Sequence, residues 1–177
     1  EEFVTRKITK GVARIKKALV EGTTFNSIEL GNIYAKRDWS DAEDFVDAIW
    51  RMLNQEKFRT DFDSNMQIQE YVVSSNETHT IKEFIELSFR YADIDGVWHG
   101  NGIGEEYSIS LHGAIKYDPM NSVLVKINPK FYRPAEVDLL LGNSNLARKE
   151  LGWQPKTSFT QLVKKMIVND LKLIGID

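Results

Sequence analysis

The chain has 177 residues, of which 42% are hydrophobic and 11% aromatic, so it can bury a core and is not a disordered chain. Its 23 Lys and Arg nearly balance its 26 Asp and Glu, and a net charge of −3 gives no long-range attraction for nucleic acid or an anionic membrane. It contains no cysteine, which excludes disulfides and thiolate metal sites, and no apolar run near the roughly 20 residues of a membrane span. We therefore expect a soluble, cytoplasmic protein with no nucleic-acid or membrane partner.

The first predicted element is an amphipathic helix close to the start of the chain. Its apolar residues recur at steps of four, four, three and four, which places them on one helix face: Val4, Ile8, Val12, Ile15 and Leu19. Gly22 is expected to end this helix. Since the chain has no initiator Met and enters helical periodicity at once, we expect a truncated part of a longer protein, with processing of a mature protein as the alternative.

The middle of the chain alternates predicted strands with capped helices. Ser27–Leu30 is expected to form a short strand, and Glu70–Ser74 a second one. The pairs Ser40–Glu43 and Thr80–Glu83 have the spacing of a capping box, so each predicts the start of a helix. The apolar face predicted for the first of these helices consists of Phe45, Val46, Ile49, Trp50 and Leu53.

The remainder predicts small strands followed by two helices. Val97–Ile127 is rich in Gly, Asn and Asp, and Ser122–Ile127 is its clearest strand. Asn143–Asn145 can cap a short helix that Gly152 ends, and the last helix is expected from about Ser158. The elements together predict an α/β fold of helices with small strands, in one lobe over residues 1–177.

Several motifs that would carry chemistry are absent from the sequence. No G-x-G-x-x-G dinucleotide fingerprint occurs, and Gly100–Gly104 is better explained as a tight turn. None of the six tyrosines is followed four residues later by a lysine, the pairing that short-chain dehydrogenases use. His79, His99 and His112 are too scattered for a paired metal motif. We therefore expect no catalytic residue, no metal site and no cofactor on this chain.

Three strings combine apolar and cationic side chains. Val4 and Lys7 lie one helical turn apart, so they could meet one ligand, or belong to a core with the lysine reaching solvent. Arg37 precedes a helix start, where it could meet a phosphate or pair with neighbouring acids. A following proline holds Arg133 in extended backbone, and Glu136 could accept from a ribose hydroxyl or pair with that arginine.

In their order and spacing these strings resemble the carboxy-terminal portion of GDP-mannose 4,6-dehydratases, extended members of the short-chain dehydrogenase/reductase group. The resemblance covers nearly the whole chain and is weakest over Ile94–Tyr117. The segments that carry it are Phe3–Ile8, Leu30–Asn32, Ala35–Trp39, Tyr132–Asp138 and Leu151–Pro155.

The resemblance implies a two-lobed lyase in which a Rossmann lobe, absent from this chain, binds NADP and a smaller carboxy-terminal lobe binds GDP-mannose. Such an enzyme oxidises C4 of the sugar, removes water across C5 and C6, and returns hydride to C6, which gives GDP-4-keto-6-deoxymannose on the way to GDP-fucose. The catalytic Thr or Ser, Glu and Tyr-x-x-x-Lys of the family would all precede residue 1. The lobe on its own is therefore expected to be inactive.

The resemblance also implies a role for individual residues. Val4 and Lys7 would contact the nucleotide and its phosphate, and Arg37 the nucleotide or diphosphate. Arg133 and Glu136 would hold the diphosphate and the ribose. The loop around guanine would comprise Leu30, Gly31, Asn32 and Ala35.

Two other functions remain open from the sequence. Another nucleotide-sugar epimerase or dehydratase would share the lobe, because specificity rests on a few loop contacts. A non-catalytic binding module is the alternative outside enzymes. For the dehydratase, the partners expected are GDP-mannose, the amino-terminal lobe and further copies of the chain in a homo-oligomer.

Overall fold

A computed structural model describes residues 3–55, 70–110, 122–132 and 137–176. The chain divides into two compact units. The first unit comprises Glu1–Ala35, Thr80–Asp138 and Val163–Asp177, and the second comprises Lys36–His79 and Leu139–Leu162.

Helices alternate with short strands along the described residues, which confirms the predicted α/β class. The described residues also form 3-10 turns at Gly102–Gly104 and Pro129–Phe131, both in the first unit. In chain order the elements are α1 (Val4–Glu21), β1 (Ile28–Leu30), β2 (Lys36–Arg37), α2 (Ala42–Leu53), β3 (His79–Thr80), α3 (Ile81–Tyr91), β4 (Gly96–His99), β5 (Glu106–Ile109), β6 (Val123–Ile127), β7 (Leu139–Leu140), α4 (Asn145–Leu151) and α5 (Phe159–Leu173).

The first unit is built on a four-stranded sheet in the order β1-β6-β5-β4. Strand β1 runs parallel to β6, with Ile28 opposite Val125 and Leu30 opposite Ile127, while the other neighbours are antiparallel. Helices α1 and α3 contact each other in this unit. The core consists mainly of Ile8, Val12, Ile15, Phe84, Ile85, Phe89, Leu124 and Val125, all of which are buried.

Helix α1 confirms the helical periodicity at the start of the chain. Three of the five residues predicted for its apolar face, Ile8, Val12 and Ile15, are buried. The helix ends where expected, because Gly22 adopts the left-handed conformation at φ 66°. Strand β1 and helix α3 are also found at their predicted positions.

The capping box predicted for α3 is confirmed. The backbone N–H of Glu83 donates to the Thr80 hydroxyl at 3.0 Å, and the N–H of Thr80 donates to the Glu83 carboxylate at 2.6 Å. The corresponding prediction for α2 was wrong by one residue, since Asp41 rather than Ser40 accepts from the N–H of Glu43. A carboxylate also interacts favourably with the positive end of the helix dipole, which a hydroxyl does not.

In the second unit, α2 turns a face other than the predicted apolar one toward the interior. Asp44 and Ala48 are buried. The backbone carbonyl of Asp44 accepts from the indole N–H of Trp153 at 2.9 Å, and its carboxylate accepts from the N–H of Thr157 at 3.0 Å. The residues of the predicted apolar face are 38–68% exposed: Phe45, Val46, Ile49, Trp50 and Leu53. The small core of this unit contains Ala48, Ala147, Leu151 and Trp153, with Met52, Tyr71 and Val73 packed against it.

The strand predicted at Glu70–Ser74 is not formed, because this segment has no ladder partner among the described residues. Instead, the Ser74 carbonyl accepts from the Ser144 hydroxyl at 3.0 Å. The regular pairing in this unit joins β2 to β7 in parallel. Helix α4 ends at Gly152, φ 59°, and α5 begins directly after Ser158, so both predictions for the end of the chain are confirmed.

No helix in the described part of the chain has the length and apolar composition needed to cross a membrane. This agrees with the absence of a long apolar run in the sequence.

We expect Arg6→Ala to destabilise the first unit, because Arg6 donates to the carboxylate of Asp170, which is only 2% exposed. Arg6 is itself about one-third exposed, so the loss should be about 1.5–3 kcal/mol of the free energy of unfolding rather than the larger cost of stripping a fully buried pair. Arg14→Ala, an exposed position on the same helix, is the control and should change that free energy by less than about 0.5 kcal/mol. Urea titrations followed by circular dichroism measure both, and equal losses would contradict a role for the pair.

Candidate functional site

The site expected from the sequence is centred on the end of β1 and the first two turns of α1. Helix α1 lies close to β1, since a Cβ on Gly11 would stand 2.6 Å from Cδ1 of Ile28. Val4, Lys7 and Gly11 are spaced three and four residues apart and therefore share one helix face. The face that rests on β1 at Gly11 thus carries Lys7, and then Val4, toward the end of the strand.

Lys7 extends over the ring of Phe131, with Nζ 3.8 Å from the ring centroid. Phe131 ends the 3-10 turn that follows β6, and this turn is fixed by the side chain of Asn128, which accepts from the N–H of Lys130 at 3.0 Å. A cation placed over an aromatic face is stabilised by about 0.5–1 kcal/mol when exposed. The ammonium of Lys7 is thereby held beside the segment that leads into Tyr132.

Gly31 brings the loop after β1 against the same turn. A Cβ at this position would collide with the backbone carbonyl of Phe131, so only glycine fits. Lys7 and Gly31 therefore both contact Phe131, the first at its ring and the second at its backbone carbonyl. The structure thus brings to one residue a cation and a loop that the sequence predicted separately.

Glu29 provides a negative charge that acts on Lys7. Its carboxylate accepts from Lys126 at 2.9 Å and from the Asn128 amide at 2.7 Å, and these two bonds lower the pKa of Glu29. Burial lowers the pKa of Lys7, and the charge of Glu29 acts against that shift without cancelling it. The charge of Glu29 therefore offsets only part of the desolvation of the Lys7 ammonium, and a bound anion beside it would favour the charged form further.

The loop from residue 30 to residue 35, hereafter the 30–35 loop, is tied to the unit at both ends. The Leu30 carbonyl accepts from the N–H of Asn128 at 2.8 Å, and the Ile33 carbonyl accepts from the N–H of Lys82 at 2.8 Å. Asn32 accepts through Oδ1 from the N–H of Tyr34 at 3.0 Å, which closes a local turn. Ala35, the last residue of the loop, is buried.

A charged cluster stands behind the 30–35 loop. The hydroxyl of Tyr34 lies 2.8 Å from both carboxylate oxygens of Glu105, and Nζ of Lys82 lies 2.6 Å from one of them. Glu105 is 3% exposed, whereas Tyr34 is 54% exposed. Lys82 also lies over the ring of Trp98, 4.6 Å from its centroid. Nothing in the local sequence indicates this cluster, because its members lie in separate segments of the chain.

Six of the nine predicted site residues therefore belong to the first unit and are described: Val4, Lys7, Leu30, Gly31, Asn32 and Ala35. Arg37 belongs to the second unit, where it donates to the Lys36 carbonyl at 2.9 Å. Of its acidic neighbours, Asp38 and Asp44 accept from backbone N–H groups. Arg133 and Glu136 lie outside the described residues, so their predicted roles stay predictions.

Phe131 and Glu29 are parts of this site that the sequence reasoning missed. Phe131 directly precedes the Tyr132-Arg133-Pro134 string, and its position there was the available signal. Glu29 sits within a predicted strand and gave no signal. Among the described residues, no three His, Asp or Glu side chains are grouped so that they could hold a metal ion.

Comparison with known proteins gives consistent matches at the level of sequence. The family model described as GDP-mannose 4,6 dehydratase matches residues 1–166. The GDP-mannose 4,6 dehydratase of Dictyostelium discoideum is 45% identical over 97% of this chain and 42% of its own length. Those of Drosophila melanogaster and Homo sapiens are 39% and 34% identical, over 38% and 40% of their lengths. The chain thus spans about two-fifths of the length of these relatives.

Solved structures share the fold at low sequence identity. The RMD structure from Pseudomonas aeruginosa complexed with NADPH has a TM-score of 0.65 at 20% identity, over 97% of this chain and 43% of that one. The UDP-glucose 4-epimerase of Thermotoga maritima with UDP-glucose has a TM-score of 0.57 at 14% identity, over 93% and 40%. These likenesses confirm the expected fold.

Gly31→Ala is expected to destabilise the first unit, because the added methyl group has to displace the Phe131 backbone rather than a flexible side chain. Overpacking of this kind costs about 1–3 kcal/mol in the free energy of unfolding. Gly104→Ala is the matched control, since a Cβ there meets nothing within 4 Å. Chemical denaturation of both variants measures the difference. A neutral Gly31→Ala would show that the loop and the 3-10 turn are not in contact.

Proposed function

Because the chain belongs to the GDP-mannose 4,6-dehydratase family, we propose that it is the carboxy-terminal, substrate-binding part of an enzyme that converts GDP-mannose to GDP-4-keto-6-deoxymannose and water. The observation that carries the proposal is the meeting of Lys7 and Gly31 at Phe131. It places a partly buried ammonium and the 30–35 loop against the same residue, Phe131.

Each part of this site suits one part of a nucleotide diphosphate. The ammonium of Lys7 can neutralise a phosphate, and Val4 on the same helix face offers apolar contact. The 30–35 loop, with Leu30, Gly31, Asn32 and Ala35, would surround the guanine base. Since Oδ1 of Asn32 already accepts from the N–H of Tyr34, its side-chain amide NH2 (Nδ2) is the group that can donate to an acceptor atom of the guanine base.

We assign the remaining contacts to two arginines and one glutamate on the basis of the family resemblance. Arg37 would contact the nucleotide or the diphosphate. Arg133 would grip the diphosphate in two places, since its guanidinium is planar and the following proline restrains its backbone. Glu136 would accept from a ribose hydroxyl.

NADP would be the cofactor of the complete enzyme, held by an amino-terminal Rossmann lobe. The residues of this chain do not fit it, since the sequence has neither a G-x-G-x-x-G loop nor a Tyr-x-x-x-Lys pair. We therefore assign no catalytic residue and no cofactor contact here. This chain would bind and orient the nucleotide, and the lyase chemistry would belong to the complete enzyme.

The exposed apolar face of α2 supports contact with that amino-terminal lobe. Val46, Ile49, Trp50 and Leu53 are each more than half exposed on one helix. An apolar face of this extent is typical of a surface that another part of the protein covers. We propose that the amino-terminal lobe covers it in the complete enzyme, a cytoplasmic homo-oligomer on the route toward GDP-fucose.

The complete enzyme is expected to turn over GDP-mannose with NADP, and the chain of 177 residues alone is expected to be inactive. Nuclear magnetic resonance of the products, with GDP-mannose, UDP-glucose and dTDP-glucose offered separately, measures both activity and base preference. Turnover of UDP- or dTDP-sugars in preference would identify another nucleotide-sugar epimerase or dehydratase. No nucleotide binding by the complete protein would favour a non-catalytic module, and turnover by the chain alone would contradict the division of roles.

In the complete enzyme, Arg133→Ala should weaken GDP binding more than Lys36→Ala. Loss of a charge-assisted, two-point contact costs about 1.5–3 kcal/mol of binding free energy, whereas loss of an exposed lysine costs about 0–1 kcal/mol. Lys36 is exposed on β2 and serves as the matched control. Titration calorimetry with GDP on folded variants measures both. Equal, small losses would mean that Arg133 is only a surface residue, and its assignment would have to be withdrawn.

A further inference from the structure

The buried carboxylate of Glu105 is bonded to Tyr34, which lies in the 30–35 loop, and to Lys82. Its two oxygens accept from the Tyr34 hydroxyl at 2.8 Å each, and one accepts from Lys82 at 2.6 Å. Lys82 also lies 3.3 Å from the Tyr34 hydroxyl. Three polar groups from three separate segments therefore form one closed cluster.

The cluster keeps its charges balanced although Glu105 is removed from solvent. Burial lowers the pKa of Lys82, but its bonds to Glu105 and Tyr34 outweigh burial and leave that pKa above its ordinary value. The rings of Trp98 and Tyr34 lie 4.6 Å and 5.2 Å from the ammonium and shield it further. The charge of Lys82 is thus paired within the cluster, so Lys82 is not assigned to binding an anion.

Tyr34 transmits the position of this cluster to the candidate site. The ring of Tyr34 is more than half exposed, so packing alone does not fix it, and its hydroxyl is the anchored end. The backbone N–H of the same residue donates to Oδ1 of Asn32. The bond between the Tyr34 hydroxyl and Glu105 therefore restrains the backbone of Tyr34. The bond from the Tyr34 N–H to Oδ1 then sets the orientation of the Asn32 amide.

Backbone hydrogen bonds also join Lys82 and its neighbour Ile81 to the 30–35 loop. The N–H of Lys82 donates to the Ile33 carbonyl at 2.8 Å, so the residue that pairs with Glu105 also supports the loop through its main chain. The N–H of Ile81 donates to the Ala35 carbonyl at 3.3 Å. The loop is therefore held from behind by the start of α3, while its other side faces Phe131 at Gly31.

We infer that Glu105, acting through Lys82 and Tyr34, is a positioning residue for nucleotide recognition: it fixes the 30–35 loop so that Asn32 presents its amide to the base. The inference rests on the proposed function. It assigns no contact with the sugar nucleotide to Glu105, Lys82 or Tyr34. It does assign to them the orientation of a group that makes such a contact.

The test uses steady-state kinetics of the complete enzyme with GDP-mannose. Tyr34→Phe removes only the anchored hydroxyl from an exposed ring, and Glu105→Gln removes the charge at nearly constant shape. Each is expected to raise the KM for GDP-mannose and the Kd for GDP about tenfold, as for the loss of one hydrogen bond to a charged group, with kcat changed less than about twofold. Glu106→Gln, the exposed neighbour on β5, is the matched control and should leave both constants unchanged.

The double variant separates one network from two independent effects. Because both substitutions break the same connection, Tyr34→Phe with Glu105→Gln should raise KM little more than either alone. Additive effects, an unchanged KM in Tyr34→Phe, or a fall in kcat at constant KM would each overturn the inference. Should Glu105→Gln fail to fold, Tyr34→Phe decides the question.

The wild-type enzyme distinguishes failure of this inference from failure of the proposed function. A wild type that neither binds GDP nor turns over GDP-mannose would contradict the proposed function and the inference with it. If the wild type is active and Tyr34→Phe and Glu105→Gln have the same KM and Kd as Glu106→Gln, the inference is overturned but the proposed function is not.

Discussion

The close approach of α1 to β1 is the constraint on which the candidate site depends. Gly11 has no side chain, and a Cβ there would stand 2.6 Å from Ile28, so the helix lies nearer to the strand than other residues would permit. Lys7 lies one turn earlier on the same face, and it therefore reaches Phe131 at the end of the sheet. Gly31 likewise permits close approach to the backbone carbonyl of Phe131, which a Cβ there would meet. Two glycines thus set the distances at which the charged and aromatic groups meet.

The second unit depends on a set of partly buried polar contacts rather than on a large apolar core. The carboxylate of Asp38 accepts from the N–H groups of Ser75, Asn76 and Gly142 at 2.9, 3.2 and 3.3 Å. It thereby joins the segment after β2 to two chain segments that are distant in sequence. Three N–H bonds to one carboxylate are charge-assisted and fix backbone geometry where short strands supply few ladder bonds. Gly142 also lies so close to Ser74 that a Cβ could not be accommodated.

Hydrophobic periodicity predicted the positions of the helices well, but it predicted strand pairing and the buried face of α2 less well. It located α1, α3 and α5 because each repeats apolar residues at helical spacing, and the caps at Thr80 and Gly152 are local in sequence. It failed at Glu70–Ser74 because a strand exists only with a partner, which local sequence does not specify. It also gave α2 the right span but not the buried face, since Asp44 is buried through bonds to residues more than 100 positions away.

The same limit applies to the lysines of the candidate site. Lys7 and Lys82 both place an ammonium near an aromatic ring, and nothing in their local sequence separates them. The structure does so through their counter-charges, because Lys82 contacts buried Glu105, whereas Glu29, whose charge acts on Lys7, is bonded to Lys126 and Asn128. Their pKa values consequently move in opposite directions, lowered by burial at Lys7 and raised at Lys82, where the bonds to Glu105 and Tyr34 outweigh burial. A lysine whose charge is already balanced stabilises its surroundings, and one whose charge is not balanced gains from a bound phosphate. Under the proposed function, this contrast gives Lys82 the support of the loop and Lys7 the contact with the phosphate.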